Sequence, residues 1–284
     1  MFCWYFTNKI AFVTYCQHSL HLRYDTIKLY LSGVRFHYIK CNNIDIFHRN
    51  LQLPYILRAV KKTQSNVTRA LRLPITFSIL QELCTCLTTG VFSPLMDLMY
   101  TCIFQLAFYG FLRCGEFTVN NRNSKYLILE DISYNADASL CYLNLPTSKT
   151  DTYDEGVTIP ITNPFPLFPV TTIKKYISTR RSMGAAPSSP LFINSDVDGN
   201  PLTRSTFITN LKEVLSRTGY EDRHFSGHSF RIGACTSGAA AGIEDHMLQV
   251  LGRWKSGCYT RYIRTQLPSI SNAHAQMSHS TALL

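Results

Sequence analysis

The sequence lacks the features that mark several broad protein classes. Its ten cysteines are scattered singly, and the one close pair, Cys84 and Cys86, does not have zinc-ligand spacing. No second Cys or His pair completes a metal site, so the thiols read as reduced side chains of an intracellular protein. Long apolar runs are missing too. The apolar run Leu98 to Leu112 has 15 uncharged residues and contains Gln105, which suits a buried helix better than a bilayer span. The opening MFCWYFTNKIAF is aromatic but has neither a basic n-region nor a small-residue cleavage site. It reads as part of a first helix that is cut short. There is no internal repeat, no low-complexity run and no cluster of carboxylates of the kind a two-metal nuclease requires.

Acidic residues are scarce in one region only. Residues 1–75 hold 11 Lys or Arg against Asp25 and Asp45, a balance of +9, whereas residues 76–284 hold 17 against 16, a balance of +1. Almost all of the formal +10 therefore sits in the first quarter. A folded segment so charged is suited to a polyanion, most simply a nucleic-acid backbone.

What is present sorts into two regions. Ile10 to Cys16, a segment opening at Tyr24, and Pro54 to Lys62 read as helices. In the second, Ile27, Leu31 and Val34 recur at helical spacing with Lys28 and Arg35 off that stripe. In the third, Leu57 and Val60 face inward and Arg58, Lys61 and Lys62 outward. We expect a basic helical domain over 1–68. A polar linker over 69–75 follows, which carries Arg69 and Arg72. A larger domain over 76–270 comes next, and a loose tail over 271–284.

The larger domain is expected to be mainly α with a small antiparallel sheet. Helices are predicted from Thr76, from Ser93-Pro94 through the apolar run to Arg113, over Val170 to Arg181, and over Ser205 to Thr218. Tyr126 to Leu129, Cys141 to Leu145 and Val157 to Ile161 read as strands. The turn after the second strand presents Lys149. An arginine at the end of a buried helix needs a partner. Glu116 is the nearest acid to Arg113, either as a plain ion pair or as the group that orients an anion-binding guanidinium.

The segment Gly227 to Tyr262 carries the densest polar chemistry. His228 and Arg231 open a small-residue helix, an amphipathic helix follows, and Gly252-Arg253-Trp254 leads to Tyr259 and Tyr262. The two tyrosines are three residues apart, so on a helix they share a face and either is a candidate nucleophile.

Taken in order, Arg113, Lys149, His228, Arg231, Trp254 and Tyr262 resemble the tyrosine recombinase (phage integrase) family. The resemblance rests on Gly110-Phe-Leu-Arg113-Cys-Gly-Glu116, on a lysine at a β-turn, on His228-Ser-Phe-Arg231, and on Gly252 followed ten residues later by Tyr262. It extends over nearly the whole chain, with the basic helices as the core-binding domain. The Gly-Arg-Trp form followed by Tyr-Ile-Arg looks most like recombinases of eukaryotic mobile elements, the DIRS-type retrotransposons and Cryptons, which implies a nuclear protein. The His or Trp that usually follows the glycine is here Arg253, with Trp254 one place later; either side chain could reach the phosphate, and Trp254, whose indole N–H can donate a bond, is the favoured candidate.

The resemblance implies breakage and rejoining of double-stranded DNA through a 3′-phosphotyrosyl bond, with no metal, no ATP and no other cofactor, on paired sites held in a tetrameric synapse. Arg113 and Arg231 would hold the phosphate oxygens as permanently charged forks, supported by Glu116 and Arg253. His228 would help Tyr262 lose its proton and Lys149 would protonate the leaving oxygen. Tyr262 fits the family's spacing. Lys28, Arg35, Arg58, Lys61, Lys62, Arg69 and Arg72 would contact the DNA backbone. A type IB topoisomerase would share the attack chemistry, and a protein that has kept DNA binding and lost catalysis is the alternative from another class.

Overall fold

The computed structural model describes residues 9–48, 50–64, 72–120, 125–146, 155–264, 270, 271, 274 and 275. The chain divides into two compact units, residues 1–70 and 71–284.

In the first unit, α1 (Lys9–His18), α2 (Tyr24–Asn42) and α3 (Gln52–Gln64) enclose a small core of Val13, Cys16, Ile27, Leu31, Leu53 and Val60. Ile27 and Leu31 lie one turn apart on α2, so one narrow stripe is buried and the rest of the helix faces water. The side chain of Gln64 closes the unit. Its Oε1 accepts from the Tyr24 amide at 2.7 Å and its Nε2 donates to the Leu22 carbonyl at 3.0 Å. Arg35 donates to both oxygens of Asp45, and Asp45 also accepts from the Phe47 amide, which ties the segment after α2 back onto that helix.

The second unit is mainly helical with one small antiparallel sheet. Its helices are α4 (Phe77–Thr88), α5 (Pro94–Tyr109), α6 (Cys114–Phe117), α7 (Pro169–Ser182), α8 (Arg204–Arg217), α9 (Ser229–Ala240) and α10 (Asp245–Leu251). The sheet has the order β1 (Ile132–Tyr134), β2 (Cys141–Leu145), β3 (Val157–Ile161), with Leu143 opposite both Ile132 and Ile159. Ser93 caps α5, accepting from the Met96 amide, and Pro94 occupies a first-turn position where its missing N–H is no loss. From there α5 is buried along most of its circumference and forms the axis of the core.

Aromatic contacts fix the helices that carry the polar segment. Phe104 of α5 lies 5.1 Å from Phe230 of α9, and Phe117 of α6 lies 4.9 Å from Phe207 of α8. Such pairs add about 0.5–1.5 kcal/mol each beyond the area they bury. One backbone crossing needs glycine: a Cβ on Gly233 would fall 1.7 Å from the Ile75 carbonyl oxygen. Its absence lets the strand of chain at 73–77 lie across α9, where Ile75 donates to the Ser229 carbonyl at 2.9 Å.

Three sequence expectations are corrected. The strand predicted over Tyr126 to Leu129 is instead an isolated bridge of Ile128 with Pro190 and a 3-10 turn, Leu129–Asp131, with β1 beginning only at Ile132. The Asp131 carboxylate accepts from the Ile128 amide at 2.8 Å, and this turn competes with extension of the strand. The apolar helix does not run to Arg113. It stops at Tyr109 because Phe111 takes a left-handed φ of 47°, which ends the helical ladder. Tyr259 and Tyr262 do not share a regular α-helix either. Tyr259 sits in a 3-10 turn, Gly257–Arg261, and Tyr262 follows it. The α-helical ladder has already closed on Gly252, whose amide donates to the Leu248 carbonyl. Among the described residues, no helix is long and apolar enough to cross a membrane.

Candidate active site

The second unit brings together three arginines from separate parts of the chain. The left-handed turn at Phe111 ends α5 and leaves the carbonyls of Gly110 and Phe111 as acceptors. Arg113 stands just before α6, in extended backbone. One oxygen of Glu116 accepts from its amide at 2.8 Å and the other from its Nη1 at 2.9 Å. The orientation of Arg113 is thus set locally, by a carboxylate three residues on that is only 4% exposed.

Arg231 arrives from α9, at the third residue of that helix, and is completely buried. Its Nη1 donates to the Phe111 carbonyl and its Nη2 to the Gly252 carbonyl, while its Nε is buried with no hydrogen-bond partner among the described residues. The Trp254 ring covers the guanidinium, with 4.3 Å between the cation and the ring centroid. Burial, reinforced by the neighbouring Arg113 and Arg253, pulls Arg231 down to about 10. It remains charged at neutral pH.

Arg253 completes the group. Its Nη1 donates to the Gly110 carbonyl at 2.7 Å and its Nη2 to Glu116 at 2.9 Å, so Glu116 holds two guanidiniums at once. Burial lowers Arg253 as well. Three guanidiniums therefore crowd around one carboxylate and three backbone carbonyls, those of Gly110, Phe111 and Gly252, leaving a local surplus of positive charge.

The tyrosines occupy different environments. Tyr262 is half-buried, with its ring 5.1 Å from that of His228 on one side and 5.1 Å from Trp254 on the other. Its backbone is held through Thr236, whose hydroxyl donates to the Tyr262 carbonyl at 3.1 Å and accepts from the Arg264 amide. Tyr259 is buried, and a hydrogen bond with Asp245 raises its phenol above the usual tyrosine range. Trp254 reaches its place because residue 252 is glycine: a Cβ there would fall 1.8 Å from the indole ring.

Of the residues singled out in the sequence, Arg113, Glu116, His228, Arg231, Arg253, Trp254 and Tyr262 gather in this one region. Lys149 and Arg69 lie outside the described residues. Arg72 donates to the Arg223 carbonyl at 2.8 Å within the second unit. In the first unit, Lys28, Arg58 and Lys61 line one concavity of about 450 Å³ around Tyr24, with the two ammonium groups 5.8 and 5.7 Å from its ring. Lys62 is exposed on the same helix. Arg35 is committed to Asp45. Sequence reasoning missed the Gly110 and Phe111 carbonyls, because backbone acceptors leave no mark in the residue alphabet. The glycine before Phe111 was the one signal of an unusual turn.

Comparison with known proteins identifies the family and the fold. The phage integrase family model matches residues 78–266, well over half of the chain. No curated protein matches it in sequence. Among solved structures, the XerH site-specific recombinase bound to a palindromic difH substrate is similar with a TM-score of 0.57 at 11% identity, over 88% of this chain and 69% of that one. The Tn1549 transposon integrase in complex with a circular intermediate DNA is similar with a TM-score of 0.59 at 15% identity, over 92% and 81%. For the XerA recombinase the values are 0.53 and 14%, over 96% and 92%. At these identities the likeness is one of fold.

Proposed function

Because the chain belongs to the phage integrase family, we propose that it is a site-specific recombinase that breaks and rejoins double-stranded DNA through Tyr262. The observation that carries this function is the surplus of guanidinium charge beside a half-buried tyrosine that has a histidine against it. A scissile phosphate is the ligand such a surplus favours, since guanidinium forks match phosphate oxygens and keep their charge at every working pH.

In the proposed reaction the Tyr262 oxygen attacks phosphorus, and the bond from phosphorus to the 5′-oxygen breaks. His228 accepts or relays the phenolic proton, and Lys149 protonates the leaving oxygen, which departs as a free 5′-hydroxyl. The 3′-phosphotyrosyl bond preserves the energy of the broken linkage, so attack by another 5′-hydroxyl reverses the step without ATP. Arg113 and Arg231 stabilise charge on the non-bridging oxygens, and the Trp254 indole N–H supplies a further donor. With this charge supplied by side chains, the chemistry needs no metal. Rejoining between two DNA molecules requires paired sites, for which a tetrameric assembly on DNA is the proposed arrangement. Gly252-Arg253-Trp254 and the Tyr262-Ile263-Arg264 that follows support an origin in a eukaryotic mobile element of the DIRS or Crypton type, and so action in the nucleus.

One observation favours a second function, DNA binding without chemistry. Arg231 is fully enclosed, with both terminal nitrogens already bound to carbonyls. For a phosphate to reach it, Trp254 must move and the carbonyl bonds must be exchanged for bonds to phosphate oxygens. Each bond to a charged group is worth about 1.5–3 kcal/mol, so the exchange is close to neutral and the enclosure does not forbid catalysis. A nicked suicide substrate carrying the cognate site separates the two. Recombinase chemistry gives a denaturant-resistant protein–DNA adduct, whereas DNA binding with no adduct leaves the binder.

A further inference from the structure

Position 253 sits between the glycine whose carbonyl holds Arg231 and the tryptophan that covers it, yet its own side chain turns inward. Its backbone explains the direction. Arg253 has a left-handed φ of 55°, a conformation that is unfavourable for a side chain larger than Asn or Asp. The turn that ends α10 imposes it: the Arg253 amide donates to the Val250 carbonyl at 2.9 Å and the Trp254 amide to the Gln249 carbonyl at 3.0 Å. From this turn the guanidinium reaches the Gly110 carbonyl at 2.7 Å, Glu116 at 2.9 Å and the Phe111 carbonyl at 3.4 Å.

Two of those partners are the groups that aim the other two arginines. Glu116 holds Arg113 through its second oxygen, and the Phe111 carbonyl accepts from Arg231. The remaining inward donor, Nε, is buried with no hydrogen-bond partner among the described residues. The side chain is 14% exposed. We infer that Arg253 is a positioning residue: it braces Glu116 and the 110–111 turn and so aims Arg113 and Arg231, while Trp254 and not Arg253 faces the phosphate. This rests on the recombinase function proposed above and assigns residues within it.

The fork geometry is what makes arginine necessary. One planar group spans a carbonyl and a carboxylate with separate nitrogens, which a single ammonium on a flexible stem does not reproduce. Arg253→Lys keeps the buried charge and removes the brace. At saturating DNA it should slow single-turnover adduct formation by about 10- to 100-fold, the loss expected when reacting groups shift by an ångström or less. DNA affinity should stay unchanged.

The decisive measurement is the same substitution in an Arg113→Ala background. A residue acting through Arg113 has little left to act on, so the additional loss should be at most about threefold, the remainder reporting its hold on the Arg231 acceptor. Equal fold losses in both backgrounds would mean that Arg253 touches the phosphate itself and would overturn the inference, as would an unchanged rate in Arg253→Lys. If the wild-type protein forms no adduct, it is the recombinase function that fails. The brace is then read by thermal melting of Arg253→Lys, Glu116→Gln and the double variant. Melting shifts that simply add would overturn it, and a double variant no less stable than the worse single variant supports it.

Discussion

The two units carry positive charge in opposite ways. In the first, Lys28, Arg58, Lys61 and Lys62 lie on the surface of helices whose buried stripe is narrow, and few acids oppose them. In the second, which is nearly neutral over residues 76–284, three guanidiniums are drawn inside and each nitrogen that bonds has a defined acceptor. Surface cations act through their sum, and salt weakens that sum. Buried and oriented cations act through geometry, at the expense of desolvation that only specific partners offset. One pattern suits holding a polyanion in many registers, the other suits holding one anionic group in a single pose.

The contrast predicts effects of different kinds. The largest is at the nucleophile: Tyr262→Phe should abolish the covalent adduct on a suicide substrate, and Tyr259→Phe should retain it, as read on a denaturing gel. An adduct surviving in Tyr262→Phe and lost in Tyr259→Phe would reassign the site. Next, Arg113→Ala should lower the rate of adduct formation at saturating DNA by about 10²- to 10³-fold, the usual loss for a preorganised donor. A loss confined to DNA affinity would place Arg113 with the surface cations instead.

Glu116→Gln comes third. It leaves two part-buried guanidiniums without their shared carboxylate and should destabilise the second unit by about 3 kcal/mol, or about 6–12 °C in melting temperature. A shift below a degree would show that the carboxylate is not needed to hold the arginines. The smallest effects belong to the first unit. Replacing Lys28, Arg58 or Lys61 by Ala should weaken binding about equally on all DNA sequences, and each should reduce the salt slope of log affinity by about one. A slope unaffected by all three would end the comparison, because the charge of the first unit would then not be engaged with DNA.

Much of the fold was legible because it is local. Helix starts at Ser93-Pro94 and near Thr203, the stripe of Ile27 and Leu31, and the two strands Cys141–Leu145 and Val157–Ile161 all follow from caps and periodicity. The failures came where a side chain or a backbone turn overrode the pattern. Asp131 bonded the Ile128 amide and delayed the first strand, and the left-handed Phe111 stopped α5 before Arg113. At the site, the i,i+3 spacing of His228 and Arg231 at a helix start was visible directly. The choice between Arg253 and Trp254 was not, since both are donors at neighbouring positions. Only the turn at 250–254 shows one going inward to Gly110 and Glu116 and the other lying over Arg231.

By itself the sequence determined the partition of charge, the kind and approximate place of most elements, and the candidate side chains for holding and attacking a phosphate. These depend on residue identity and on spacing over a few residues, where backbone geometry is regular. Tertiary structure alone decided what each guanidinium meets. Arg231 finds the Phe111 carbonyl 120 residues away and Arg253 finds Glu116 137 residues away. Those pairings follow from how α5, α6, α9 and α10 pack, and a buried cation takes whichever acceptors that packing leaves within reach.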